Sequence, residues 1–233
     1  MTVVYLNGKS SVVSNTKVTK KILDATGYSY SKGAYDFTAD ALIKGAEKTL
    51  KGLGISFDSM VGVGLSGHLV LPVLARHFDV PFFAVRKREA SSHMGGSPGE
   101  GYIGKRWLLV DDFTCTGKTI RTAKQAIETV TGKHNFKTEY VGMYAYSDTE
   151  FHFPNGERKQ IEQITYGGET VYVNANIYWR VRDLMGVAFQ KQMPNPKTYV
   201  METIRIRKYG WDLDEVSMIA VAIEPEVRAI YNG

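Results

Sequence analysis

Cysteine is almost absent from this 233-residue chain: Cys115 is the only one, so no intrachain disulfide can form. Long apolar runs are missing as well. None approaches the roughly 20 residues that span a bilayer, and the first residues lack the apolar stretch of a secretory signal. A membrane partner is therefore not expected, and the reducing cytoplasm is the expected address. The histidines are few and scattered; His68, His77, His134 and His152 stand at no metal-ligand spacing, so no metal site built from a side-chain cluster is expected. Repeats and low-complexity tracts are also lacking.

What is present fits a soluble globular protein, with 43% hydrophobic residues and well-spread charge. The length allows one large domain or a core with an appendage. A formal charge of +5 favours anionic partners, and polyphosphorylated small molecules satisfy that as well as nucleic acid does. Lys17, Lys20 and Lys21 form a basic cluster better explained as a solvated face, so nucleic acid is not the expected partner.

Apolar spacing predicts a short strand at residues 3–6, a helix over 36–53, a strand at 59–64, a helix at 69–78 and strands at 81–85 and 107–110. A helix at 119–131 and a strand at 139–146 follow. This alternation implies an α/β fold with a central parallel sheet covered by helices on both faces. Residues 150–233 differ in texture. Turn signals at Pro154-Asn155-Gly156 and Gly167-Gly168 flank expected strands at 170–173 and 203–207, and Tyr178, Trp179, Tyr199, Tyr209 and Trp211 are concentrated there. The expected organisation is a core at 36–149, with residues 1–35 and 150–233 as an appended region.

The most informative stretch is Arg106 to Ile120. Trp107 to Val110 reads as a buried strand that ends in two carboxylates, Asp111 and Asp112, followed by hydroxyl residues, Gly117 and a helix. A strand that turns tightly into a helix aims free backbone N–H groups at one point, where an anion sits. Thr114, Thr116 and Thr119 add hydroxyl donors, and the acids accept from sugar hydroxyls; a phosphate beside a ribose fits. Two rival motifs fail. A nucleotide-triphosphate P-loop needs a glycine five positions before Gly117-Lys118, where this chain has Asp112. Gly99 to Gly104 spells G-x-G-x-x-G but precedes a strand instead of following one.

The string VDDFTCTGKT resembles the phosphoribosyl-pyrophosphate (PRPP) motif of the type I phosphoribosyltransferases. The resemblance implies that Asp111 and Asp112 hold the ribose 2′ and 3′ hydroxyls, and that Thr114, Cys115, Thr116, Gly117, Lys118 and Thr119 cradle the 5-phosphate. Val61 to His68 is similar to the family's pyrophosphate loop, which Leu65, Ser66, Gly67 and His68 would form. Phe82 to Lys87, followed by a polar, glycine-containing segment up to Lys105, resembles the lid of orotate and adenine members. Arg86, Lys87, Arg88 and His93 are the implied catalytic residues there, and closure would exclude water from an oxocarbenium-like sugar. His93 keeps its place in the orotate pattern only after one extra residue, Arg88, is allowed, and Ser91 stands where the family has a lysine. Cys115 replaces the acid that the 6-oxopurine enzymes carry.

From the resemblance, the expected activity is transfer of the 5-phosphoribosyl group from PRPP to a nitrogenous base with release of pyrophosphate, Mg²⁺ entering through the substrate. Adenine, orotate or an unusual base is expected to serve better than hypoxanthine or guanine. A non-catalytic sensor of PRPP or nucleotide on the same fold is the alternative. Tyr144, Tyr146 and Asp148, at the end of the strand 139–146, are candidates for the base pocket, and the two tyrosines should share one face, either in the site or in the core of the hood. The appended region is the candidate hood over that pocket, and a homodimer is compatible with the family.

Overall fold

The structure is a computed structural model that describes residues 2–6, 9–13, 38–86, 97–113 and 116–232. Strands β1 (Thr2–Leu6) and β2 (Lys9–Val13) pair antiparallel in a small sheet of their own. A larger eight-stranded sheet organises the remainder. Its centre is four parallel strands in the order β4 (Phe82–Val85), β3 (Ser59–Val63), β6 (Arg106–Asp111), β7 (Glu139–Ala145). The expected α/β core is thus present. Its strands are buried almost throughout because helices cover both faces, which is why they read as unbroken apolar runs.

Helices α1 (Ala39–Gly52) and α2 (Gly64–His77) cover one face, and α3 (Lys118–Gly132) covers the other. Thr38 caps α1 by accepting from the Ala41 N–H at 3.2 Å. Period-two alternation sorts the side chains of β6: Leu108 and Val110 join the core under α1 and α2, whereas Trp107 and Leu109 join the core under α3. From β3 the chain crosses through α2 to β4 on one side; from β6 it crosses through α3 to β7 on the other. The strand order therefore reverses between β3 and β6, and a crevice opens there, outside the carboxyl ends of the two strands. Such switch points are where open α/β sheets bind ligands.

Both outer edges are antiparallel. Gly99–Gly101 forms β5 against β4, so part of the expected lid segment, residues 99–101, is a sheet edge and not a free loop. On the far side β8 (Glu150–His152), β9 (Arg158–Tyr166) and β10 (Glu169–Asn174) continue the sheet from β7. The sheet thus runs unbroken past residue 149, and α1 also packs on this extension, with Lys48 paired to Glu162 at 2.9 Å. Helices α4 (Ala175–Gln190), α5 (Pro196–Arg207) and α6 (Leu213–Asn232) build a further core against β9 and β10 around Val181, Met185, Val200 and Ile219. The strand expected at 203–207 is in fact the end of α5. Its β-branched residues suggested a strand, but Asn195 caps a helix that Pro196 opens, and Val200 and Ile204 bury one turn apart. Tyr178 is buried in that core and Tyr199 and Trp211 pack against it, while Trp179 and Tyr209 remain exposed. No helix among the described residues is long and apolar enough to cross a membrane.

Candidate active site

Two helices begin at the switch-point crevice, and among the described residues neither is capped by a side chain. Gly64 (φ 64°) opens α2 directly after β3, and Gly117 (φ 67°) precedes α3. Both glycines sit in the left-handed region, which a side chain rarely adopts, and Gly64 lets the chain turn from β3 into α2 in one residue. Neither helix has an acid in its first turn. The first N–H groups of each helix lack intrahelical partners and stand at the positive end of the helix dipole. The segment Leu65 to His68, expected as a loop, is instead the first turn of α2. Small residues serve a second purpose there: a Cβ on Gly67 would lie 3.0 Å from the Val110 carbonyl oxygen and 3.0 Å from the Gly62 Cα, so α2 rests directly on the backbone of β3 and β6.

The acids lie between the two turns. Asp111 is 2% exposed and Asp112 8%. Asp111 Oδ1 accepts from Ser66 Oγ at 2.8 Å and from the Asp112 N–H at 3.1 Å; Asp112 Oδ1 accepts from the Phe113 N–H at 2.9 Å. Burial raises the Asp111 carboxyl to about 6, the Ser66 hydrogen bond opposes that rise, and the neighbouring Asp112 charge adds to it. Two carboxylates with no cation bonded to them among the described residues, at the mouth of a crevice, are poised to accept hydroxyl protons from a diol.

The other sequence-predicted residues have the following surroundings. Leu65 is 56% exposed at the crevice, and His68 is half-buried with its Nε2 unpartnered. Thr116 and Lys118 are exposed, Gly117 and Thr119 partly so, and the Thr116 carbonyl accepts from Arg121. Arg86 follows β4; its guanidinium is ion-paired with Glu100 of β5, and its N–H donates to the Pro98 carbonyl. Lys87, Arg88, His93, Thr114 and Cys115 lie outside the described residues. Asp148 is exposed in the turn from β7 to β8, its carbonyl accepting from Gln160.

Tyr144 and Tyr146 do share a face, as strand alternation requires, and that face is the core under α1 and α2, away from the hood region's helices. Burial pushes both phenols upward. Tyr146 nevertheless touches the site from beneath, its hydroxyl donating to the Ser66 carbonyl at 3.3 Å. Phe113, 49% exposed beside Asp112, is an aromatic ring at the crevice to which the sequence alone assigned no role. Glu100 was missed likewise: it belongs to a glycine-rich string whose pairing with β4 no local pattern announces.

A family model for the phosphoribosyl transferase domain matches residues 37–139, the segment that carries both helix-opening turns and both acids. Residues 37–139 are thus similar to the phosphoribosyl transferase domain. The chain is similar to the adenine phosphoribosyltransferase of Bifidobacterium longum, 34% identical over 39% of this chain and 55% of the relative. It is also similar to the orotate phosphoribosyltransferase of Pyrococcus abyssi, 32% identical over 48% and 56%. Among solved structures, a phosphoribosyltransferase from Corynebacterium diphtheriae aligns with 26% identity over 46% of this chain and 65% of that one, at a TM-score of 0.35. The chain thus spans only a little over half the length of the curated relatives it matches. The family model's match stops at the start of β7, before Tyr146.

Proposed function

We propose that this chain is a PRPP-dependent phosphoribosyltransferase that moves the 5-phosphoribosyl group to a ring nitrogen of a planar base and releases pyrophosphate. One observation carries the reading: two buried carboxylates stand at a sheet switch point between two helix N-termini with no side-chain caps. PRPP has the complementary layout, a sugar diol with a phosphate on one side and a pyrophosphate on the other. Asp111 and Asp112 accept from the ribose hydroxyls, the first turn of α3 holds the 5-phosphate, and the first turn of α2 holds the pyrophosphate.

The bond from the sugar's C1 to the pyrophosphate oxygen breaks, a bond from C1 to the ring nitrogen forms, and the proton of that nitrogen is lost. Charge collects on the departing pyrophosphate, so fixed N–H dipoles and cations that are stronger partners for it than for the intact substrate lower the barrier. Arg86, ion-paired with Glu100, would contribute once that pair opens. Asp148, exposed at the end of β7, is the candidate acceptor of the ring N–H, and Lys87, Arg88 and His93 belong to the candidate lid. Magnesium would enter with PRPP, where it would offset the charge of the pyrophosphate. The lone cysteine accords with a cytoplasmic address.

The relatives named for adenine and orotate, with Cys115 in place of an oxopurine-binding acid, make adenine- or orotate-like bases the proposed acceptors. Pyrophosphate release from PRPP and Mg²⁺, measured with adenine, orotate, hypoxanthine and guanine, tests this. Base-dependent release led by adenine or orotate is expected. Guanine as the fastest acceptor would overturn the specificity, and PRPP binding without release for any base would overturn transfer itself in favour of sensing.

A further inference from the structure

We propose that Ser66 and Tyr146 are positioning residues that lock the Asp111 carboxylate and the first turn of α2 into one preformed surface for PRPP. The inference rests on the PRPP reading of the site and adds a brace whose third residue, Tyr146, lies beyond the family match that ends at residue 139.

Three contacts close a ring through three elements. Ser66 Oγ, on α2, donates to Asp111 Oδ1 at the end of β6, 2.8 Å away. The Tyr146 hydroxyl, just past β7, donates to the Ser66 carbonyl at 3.3 Å, and the Tyr146 N–H donates to the Asp111 carbonyl at 3.0 Å. Ser66, Asp111 and Tyr146 are all buried, so a lost partner here is not replaced by bulk water. Because Oδ1 takes both the Ser66 hydroxyl and the Asp112 N–H, the carboxylate plane is fixed, and Oδ2 is the oxygen turned over to a ribose hydroxyl. Tyr146 holds the peptide that carries the Ser66 side chain, so the brace acts on the pyrophosphate turn and on the ribose acid together.

The same contact tunes charge. Among the described residues, the titratable groups that face Asp111 are Asp112, next in the chain, and the Tyr146 phenol just past β7, and α2 supplies the Ser66 hydroxyl. Burial and Asp112 both favour the neutral acid; Ser66 opposes them, because a donor to a carboxylate stabilises its charged form. Removing the hydroxyl should therefore weaken ligand binding most where Asp111 titrates, whereas loss of a merely structural contact weakens it alike at every pH.

The test is calorimetric titration of PRPP with Mg²⁺ into the full chain from pH 5.5 to 8.5, for the unaltered protein, Ser66→Ala, Ser66→Thr and Tyr146→Phe, each confirmed folded by circular dichroism. Ser66→Ala is expected to lose about tenfold in affinity near pH 6.5 and clearly less at pH 8.5. The midpoint of its acid limb should move upward, and Ser66→Thr, which keeps a hydroxyl, should restore most of the binding. Tyr146→Phe should weaken binding severalfold with a much smaller change in that midpoint. Parallel pH profiles for Ser66→Ala and the unaltered chain, or a threonine variant no better than alanine, would overturn the positioning role while leaving the PRPP reading in place. Absence of PRPP binding by the unaltered chain would overturn both.

Discussion

Asp111 meets two opposing demands. A carboxylate that accepts from a ribose hydroxyl must be charged, yet this one is buried beneath a helix turn and beside a second acid, which holds its carboxyl up at about 6. The linkage has a definite sign. Between the unfolded value of about 3.8 and the folded value of about 6, the native state binds more protons than the unfolded chain, so this group's contribution to stability falls as pH rises through that window. A shift of this size corresponds to roughly 2–3 kcal/mol. Asp111→Asn, which can still accept from Ser66, should therefore become more stable relative to the unaltered protein as pH rises from 4 to 7. Urea denaturation at several pH values measures the difference; a gap that stays constant or shrinks over that range would contradict the burial argument.

At the level of elements, the site depends on how closely α2 approaches the sheet. Gly62 and Gly67 face each other across the contact, and the atoms that a Cβ on Gly67 would strike are backbone atoms of β3 and β6, which have little freedom to retreat. Gly67→Ala should thus cost on the order of 1–3 kcal/mol of stability. It should also displace the pyrophosphate turn, lowering PRPP affinity by more than tenfold at temperatures where the variant remains folded. Unchanged affinity in a folded Gly67→Ala protein would show that the close approach is only structural. Elements of the core were legible in the sequence because their signals are local: the apolar runs of β3 and β6 and the helical spacing of α1 and α3 need no knowledge of partners. The start of α2 was not legible, since Gly64-Leu65-Ser66-Gly67 has the composition of a loop and becomes helical by packing against β6. The end of α5 was misread for the matching reason, β-branched residues held helical by burial of Val200 and Ile204.

For the whole molecule, the sheet brings together what the chain keeps apart. The paired acids and the glycine before α3 are neighbours in sequence, so their chemistry could be read directly from VDDFTCTGKT. The Ser66–Asp111 and Tyr146–Ser66 contacts join residues 45 and 80 positions apart, and no spacing rule encodes them; they follow from the strand order β4-β3-β6-β7. The same topology makes residues 150–174 a continuation of the sheet, with their own helical cover, where composition alone suggested a separate appendage. All of these features converge on one claim, that the crevice between β3 and β6 is built for PRPP. Titration calorimetry of PRPP with Mg²⁺ into the unaltered chain and into Asp111→Asn/Asp112→Asn, both confirmed folded, tests it most directly. Saturable binding by the first, reduced at least a hundredfold in the second, is the predicted result; binding of equal strength to both proteins, or none to the unaltered chain, would contradict it.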